Sequence, residues 1–391
     1  MKHPEENLNF EVGSAFYRPQ MRYVRDLGVL AAIVYRQQTG HLRVLEPMSG
    51  CGIRSLRYGL EAGADWIWAN DGNSEIQGIL RSNLEQHLEK NYDRVHPSQR
   101  IQVTAWDAHK IFAHCILHQD EYDFVDMDGF GNLSTYLHLV WSAIKPGGFL
   151  YWTATDGQIL GGHDPDRCLQ RYGTYGRSFP CAQEQGLRIV LGSLAAAAQQ
   201  LGIDIEPIFS TFTGQTFRIL IRRLPVGQNL GSFTDRYGFL GYCHHCGEYQ
   251  PVGWRTLGQA FCPWHNEPPS LTLSGPLWLG SLHHYPTLQA MKTIAQTWNY
   301  DQNDRLLKRL DLMIAEIPFP PYHFSLGQLG KWAKSDPPNR DRFFESLRQQ
   351  GFDATLLHWN PECFKTTAPW KTCLQTCHHL PLNFFALRGK P

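Results

Sequence analysis

No long run of this 391-residue chain is both apolar and uncharged, which excludes a membrane-spanning helix. The first residues, MKHPEENLNFEVGS, lack the apolar core of a secretory signal. These two absences lead to the expectation of a cytoplasmic protein with no membrane association. There thiols stay reduced, so the ten cysteines are not a disulfide framework. An excess of charge is missing too. Thirty-six Lys and Arg balance thirty-six Asp and Glu, so composition advertises no nucleic-acid partner, although basic residues gathered on one face would escape such a count. The chain has no internal repeat and no low-complexity segment, and nothing in it signals an obligate protein partner.

What is present is alternation. At this length two domains are expected. From Leu42 to Leu224 short apolar runs alternate with helical periodicity. RVLEPMSGCG reads as a strand leaving into a glycine turn, IRSLRYGLEAG as the following helix, and WIWAND as a second strand before the helix SEIQGILRSNLEQHL. IQVTAWDAH, YDFVDMD and FLYWTATD are further strands, and EQGLRIVLGSLAAAAQQLG is a long helix. Such alternation implies right-handed crossovers and a mainly parallel, doubly wound α/β sheet. IEPIFSTFTGQTFRILIRRL predicts an edge hairpin closed by Thr-Gly-Gln. RRLPVGQNLGSF predicts a boundary, dividing the chain into residues 1–224 and 225–391. Beyond it, PPYHFSLGQLGKWAKSDPPNRDRFFESLRQQGF predicts two short helices around a proline break.

In such a sheet a ligand lies at the carboxyl ends of the strands. Four acids occupy predicted strand ends: Glu46, Asp71, Asp107 and Asp128. Gly50 and Gly52 would let a ligand approach the backbone at a helix N-terminus. An acid ending the second strand suits ribose hydroxyls, and one ending the third suits an adenine amino group, so the set describes a nucleoside cofactor. GCGIRS matches the dinucleotide fingerprint only in part, because Ser55 stands in place of the third glycine. Strand-end carboxylates also commonly cap helices and turns.

YDFVDMDGFGNLSTY delivers an acid, a small residue and an aromatic ring to one spot. It resembles the Asp/Asn-Pro-Pro-Phe/Tyr motif of methyltransferases that modify exocyclic amines. The amino group of a base is a poor nucleophile, since its lone pair is delocalised into the ring. A carboxylate accepting its hydrogen localises that pair and takes the proton as the bond forms. Phe130 would hold the base by stacking, and Asp126 is a rival to Asp128 as acceptor.

CHHCGEYQPVGWRTLGQAFCPWH pairs Cys243 and Cys246 with Cys262 and His265, spacing that suits a closed, structural tetrahedral zinc site. His244 and His245 are competing ligands. Cys363, Cys373 and Cys377 read as ordinary thiols, and His283 and His284 as surface residues.

Long stretches of the chain resemble one family, the tRNA guanine-N2 dimethyltransferases acting at position 26. The likeness runs through AFYRPQMRYVRDLGVL, MSGCGIRS, WAND, DFVDMDGFG, ATDGQILGGH, RCLQRYG, GPLWLGSLH and HWNPECFKTTAP. It implies a class I S-adenosylmethionine-dependent, Rossmann-like methyltransferase domain followed by a zinc-containing α+β C-terminal domain that binds tRNA. It also implies that Arg25, Arg54, Asp71, Asp107 and Ala108 contact S-adenosylmethionine, and that Asp128, Phe130 and Phe16 handle the target guanine. Where the family usually has proline, this chain has Gly129. The resemblance, more than the charge pattern, favours RNA contact by Lys331, Lys334, Arg340, Arg342 and Arg348. Two other readings remain open on the residues: an amino-methyltransferase acting on DNA, and a non-catalytic tRNA-binding module.

Overall fold

The computed structural model describes residues 2–5, 8–88, 100–265, 267–300 and 302–379. The chain forms two compact units, Met1–Asp156, Leu194–Leu230 and His284–Leu310 in the first, Gly157–Ser193, Gly231–His283 and Asp311–Pro391 in the second. The predicted division at 224 and 225 lies near one junction, but the units interleave rather than follow one another. Packing shows why. Helix Tyr285–Ala295 lies against helix Arg22–Thr39 in the first unit. In the second, Gly192 sits so close to the strand Thr272–Trp278 that a Cβ there would meet Trp278 N at 2.9 Å.

A seven-stranded sheet organises the first unit. Its spatial order is Ile101–Thr104, Trp66–Asn70, Arg43–Glu46, Tyr122–Met127, Ile144–Ala154, Phe217–Arg223, Ile205–Phe212. The first five strands are parallel, and the last two form the predicted antiparallel edge hairpin. The chain enters at Arg43–Glu46, builds outward to Ile101–Thr104, and returns to the other side at Tyr122–Met127. That reversal makes a crevice at the carboxyl ends of Arg43–Glu46 and Tyr122–Met127. Every residue of Tyr122–Met127 is buried, as are Phe149 to Trp152, which is why these strands read as continuous apolar runs rather than alternating ones. Helix Ile53–Leu60 starts immediately after Gly52, whose φ of 83° is left-handed. A Cβ on Gly52 would also meet Leu80 Cδ1 at 2.6 Å, so the turn requires glycine.

The second unit holds two three-stranded antiparallel sheets. One orders Tyr249–Val252, Tyr237–Tyr242 and Thr272–Trp278; the other orders Phe324–Ser325, Cys363–Thr366 and Ala354–Leu356. Helices Leu326–Ala333 and Arg340–Gln349 flank the proline break as predicted, capped by Ser325 and Asn339, whose side chains accept from Gln328 N and Arg342 N. Phe324 stacks on Trp370 with centroids 4.5 Å apart. Buried Glu184 accepts from Arg188 at 2.8 Å, from His323 at 3.2 Å and from Lys365. Burial pushes the Glu184 carboxyl up, but Lys365 and Arg188 outweigh it and hold it well below its usual range. Among the described residues no helix is long and apolar enough to cross a membrane.

Candidate functional site

The crevice opens into a cavity of about 630 Å³ within the first unit, a size that suits a nucleoside-bearing ligand. Phe16, Arg25, Arg54, Asp71, Asp128 and Phe130 all line it, so six of the eight residues expected at the cofactor and substrate sites converge. Asp107 and Ala108 are not among its walls. Asp107, with its side chain 72% exposed, caps helix Ala108–His118 by accepting from His109 N at 2.8 Å, the alternative role of a strand-end acid.

The strand Tyr122–Met127 ends one residue before Asp128 and places two carboxylates in different surroundings. Asp126 is wholly buried, accepting from Tyr58 OH at 2.6 Å and from Arg54 Nη1 at 3.0 Å. Asp128 is 26% exposed and lines the cavity. Arg54 Nε lies 2.6 Å from Asp128 Oδ2, and Arg218 Nη2 donates to Asp128 Oδ1 at 2.9 Å. Arg218 also donates to Thr153 Oγ1 at 2.8 Å, which sets its guanidinium. Burial lifts the Asp126 carboxyl above its usual range in spite of Arg54. At Asp128 burial pushes the same way, but Arg218 and Arg54 outweigh it and hold the carboxyl well below that range. Asp128 therefore faces the cavity with its carboxylate oriented by two arginines, whereas Asp126 is buried.

Arg218 escaped the sequence reading. Its signal was a cation set just before the apolar run Ile219 to Ile221 of the hairpin strand Phe217–Arg223, visible but without an address until that strand paired with Ile144–Ala154. Gly129 also gains a reason. Met48 Sδ lies 2.1 Å from where a Cβ on Gly129 would stand, so the methionine fills the space a side chain would need.

Phe16 and Phe130 meet edge to face, centroids 4.2 Å apart, and both stay mostly exposed, at 53% and 61%. The Arg18 guanidinium stands 4.8 Å from the Phe16 ring and bonds Gln215 of the hairpin turn. Two accessible rings beside an ionised carboxylate form a platform for a flat, hydrogen-donating group.

The remaining walls suit a polar cofactor. Asp71 accepts from Gly50 N and Asn73 N, each at 2.9 Å, which fixes its carboxylate beside the glycine turn. Among the described residues, buried Arg54 Nη2 has no hydrogen-bond partner, a free donor for an anionic group. Arg25 is tied through Nε to Glu5 at 2.8 Å, and Tyr17 OH donates to the same carboxylate at 2.7 Å. Glu46, at the end of Arg43–Glu46, accepts from Ser55 N at 3.1 Å. Burial and then the charge of Asp126 raise its carboxyl well above the usual range.

In the second unit, Cys243, Cys246, Cys262 and His265 bring one donor atom each to within 4.8 Å of one another. Cys246 and Cys262 sulfurs are 3.6 Å apart, as are Cys243 Sγ and His265 Nε2. A tetrahedron with Zn–S bonds of about 2.3 Å has edges of roughly 3.8 Å, so the four donors fit the ion. His244 and His245 are exposed and lie outside the group. Val252, Ala260 and Leu271 pack around the cysteines and close the site. The expectation for His283 is corrected: it is buried, beside Glu316 and His358, because it ends the segment after strand Thr272–Trp278 facing the interior. His284 is half-buried, with Nε2 3.6 Å from Glu206. Lys331, Lys334, Arg342 and Arg348 are exposed, and Arg340 is held by its neighbour Asp341 at 2.9 Å.

The family model described as N2,N2-dimethylguanosine tRNA methyltransferase matches residues 1–378. The tRNA (guanine(26)-N(2))-dimethyltransferase of Thermococcus kodakarensis is 28% identical over 361 residues, 91% of this chain and 90% of its own. Its namesake in Schizosaccharomyces pombe is 27% identical over 348 residues, 84% of this chain and 62% of the longer relative. Among solved structures, Trm1 from Pyrococcus horikoshii in complex with S-adenosyl-L-methionine has a TM-score of 0.80 at 23% identity, covering 96% of this chain and 99% of that one. This last likeness establishes the fold, a Rossmann-like α/β sheet with its appended unit.

Proposed function

The chain belongs to the N2,N2-dimethylguanosine tRNA methyltransferase family, and from that membership we infer the chemistry of its cavity. It is an S-adenosylmethionine-dependent tRNA (guanine-N2) methyltransferase. Guanine 26 is its target, as the names of its relatives have it. The observation that carries the reading is Asp128, held ionised between Arg54 and Arg218 at the cavity wall next to two exposed rings.

S-adenosylmethionine, when bound, supplies an electrophilic sulfonium methyl group. Asp71 would hold its ribose and Arg54 Nη2 its carboxylate, with Arg25 and the Gly50 turn shaping the wall. Asp107 and Ala108 would have to meet the adenine from outside the cavity proper. Phe16 and Phe130 receive the guanine, which must leave its stack to be reached. Asp128 accepts an N–H of the exocyclic amine, localising its lone pair for attack. As the nitrogen takes the methyl group, the bond from that carbon to sulfur would break and leave a neutral thioether, while the nitrogen becomes cationic and its proton far more acidic than a carboxylic acid. A carboxylate held below the ordinary range is therefore still basic enough to take that proton. Arg54 and Arg218 are positioning residues that fix the plane of the acceptor.

The second unit contributes tRNA binding through exposed Lys331, Lys334, Arg342 and Arg348. Cys243, Cys246, Cys262 and His265 hold a structural zinc there, and the ion ties the strand Tyr237–Tyr242 to the Cys262 turn.

Nucleoside mass spectrometry tests the reading. Unmodified tRNA incubated with the protein and S-adenosylmethionine should yield N2-methylated guanosine, and Asp128→Asn should yield almost none. Methylated adenine or cytosine from a DNA control, without a tRNA product, would overturn it. Cofactor binding without product on either nucleic acid would mark a non-catalytic tRNA-binding module.

A further inference from the structure

We propose that His283, Glu316 and His358 form a second metal site in this chain, of the zinc class, structural in role and separate from the Cys/His cluster. The three residues come from different segments. His283 follows strand Thr272–Trp278, Glu316 follows helix Asn303–Ala315, and His358 follows strand Ala354–Leu356. Their side chains are almost wholly shielded from solvent, and one donor atom from each lies within 4.8 Å of the others.

The hydrogen bonding leaves the cluster incomplete. Glu316 Oε1 accepts from His358 N at 2.7 Å and pairs with His358 Nδ1 at 2.8 Å. That bond puts the Nδ1 proton on the carboxylate side and leaves the lone pair of Nε2 free, the orientation that carboxylates impose on metal-binding imidazoles. Among the described residues, His358 Nε2, Glu316 Oε2 and both ring nitrogens of His283 have no hydrogen-bond partner. His283 Nε2 and Glu316 Oε2 are 3.7 Å apart, too far to satisfy each other directly. Buried polar atoms gathered in one place without partners, here a carboxylate oxygen and imidazole nitrogens, are costly unless something sits between them. A single divalent ion would take one donor from each residue if the donors draw in from separations of up to 4.8 Å to the roughly 3.3–3.6 Å edges of a tetrahedron with Zn–N and Zn–O bonds of about 2.0–2.2 Å.

Donor chemistry selects the ion. Two imidazoles and one carboxylate suit a first-row transition metal better than magnesium or calcium, which take oxygen ligands. On the adjoining wall Lys365 and Arg188 are both engaged by Glu184, which offsets one of their two positive charges. That wall leaves a void of about 10 Å³, room for one solvent molecule as fourth ligand. The same void offers the competing occupant, a lone buried water.

Metal analysis of the full-length chain, carrying no histidine tag and reconstituted with excess zinc before desalting, separates the two. The expected result is two equivalents per chain, falling by one in His283→Gln and in His358→Gln. Cys262→Ser should remove the other equivalent. Loss of one equivalent in the histidine variants supports the site whether or not the cysteine cluster binds, so the two assignments fail separately. Unchanged metal content in both histidine variants would overturn it and leave water in the void. If those variants do not fold, zinc absorption-edge spectroscopy of the wild-type chain decides. Half the sulfur per zinc of a lone Cys₃His site is expected, and a full Cys₃His signature overturns the proposal.

Discussion

The cavity of the first unit and the cysteine cluster of the second are both built from converging polar side chains, yet they are finished differently. In the cavity Asp128 is over-supplied with positive charge from Arg54 and Arg218, while Arg54 Nη2 is left without a partner among the described residues and Phe16 and Phe130 stay exposed. In the cluster four donors aim at one point, with Val252, Ala260 and Leu271 packed around them. A site whose ligand comes and goes keeps spare donors and bare rings. A site for a resident ion spends its donors inward and closes. The comparison predicts that damage to the first appears in rates and affinities, and damage to the second in stability.

The largest effect should come from the acceptor. Asp128→Asn keeps the shape but removes the charge, and single-turnover rates should fall by roughly 10²–10⁴-fold. The alanine variant is a poorer probe, because it also removes the oxygen atoms that Arg54 and Arg218 bond. Asp126→Asn should retain far more activity. A dead Asp126 variant beside an active Asp128 variant would reverse the assignment of roles.

Next in size is the cluster. Cys262→Ser should cost on the order of 4 kcal/mol by loss of the ion, lowering the melting temperature by roughly 10 °C. The rate per folded molecule at saturating tRNA should hardly change. A melting curve like that of the wild type would break the comparison from this side.

Smaller effects belong to the ligand-facing walls. Asp71→Asn should weaken cofactor binding by about 1.5–3 kcal/mol, as expected for loss of a charged hydrogen bond, read directly by calorimetry. Phe130→Ala should lower kcat/KM for tRNA by about 1–3 kcal/mol of lost stacking while leaving cofactor affinity alone. Equal losses in cofactor and tRNA binding would mean that Phe130 shapes the cavity rather than the base platform.

The smallest effect, on the order of 1 kcal/mol, concerns pH. Asp128 has its folded value depressed by Arg218 and Arg54 against burial, so its contribution to stability is present above the ordinary carboxyl value near 4 and is lost as pH falls. Asp126 has its folded value raised by burial, so its contribution is present below that ordinary value and is lost as pH rises through the folded one. Urea midpoints between pH 6 and pH 3 should show a flatter acid loss in Asp128→Asn and a steeper one in Asp126→Asn.

Much of the site was legible because its residues sit at strand ends, where the period of the chain changes. Asp71, Asp128 and the Gly50–Gly52 turn follow from a βα pattern with glycine at the crossover. Phe130 follows from its distance to Asp128 in the chain. Asp107 was equally legible as a strand-end acid, but its local role as a helix cap emerged only with the helix in place. Arg218 was illegible as a site residue, because it reaches Asp128 across 90 positions through the antiparallel pairing of Phe217–Arg223 with Ile144–Ala154. The interleaving of the two units was hidden for the same reason, since helix Tyr285–Ala295 carries no mark of its partner Arg22–Thr39.

By itself, then, the sequence determined whatever depends on neighbours along the chain: the alternating elements, the crossover glycines, the acid before the aromatic ring, and the paired Cys-x-x-Cys and Cys-x-x-His knuckles. Tertiary structure alone decided which of two nearby carboxylates faces the cavity, which arginines ionise it, and that His283, Glu316 and His358 meet. Burial and electrostatics act through space with ranges of a few ångströms, and a one-dimensional pattern records such proximity only where the chain itself supplies it.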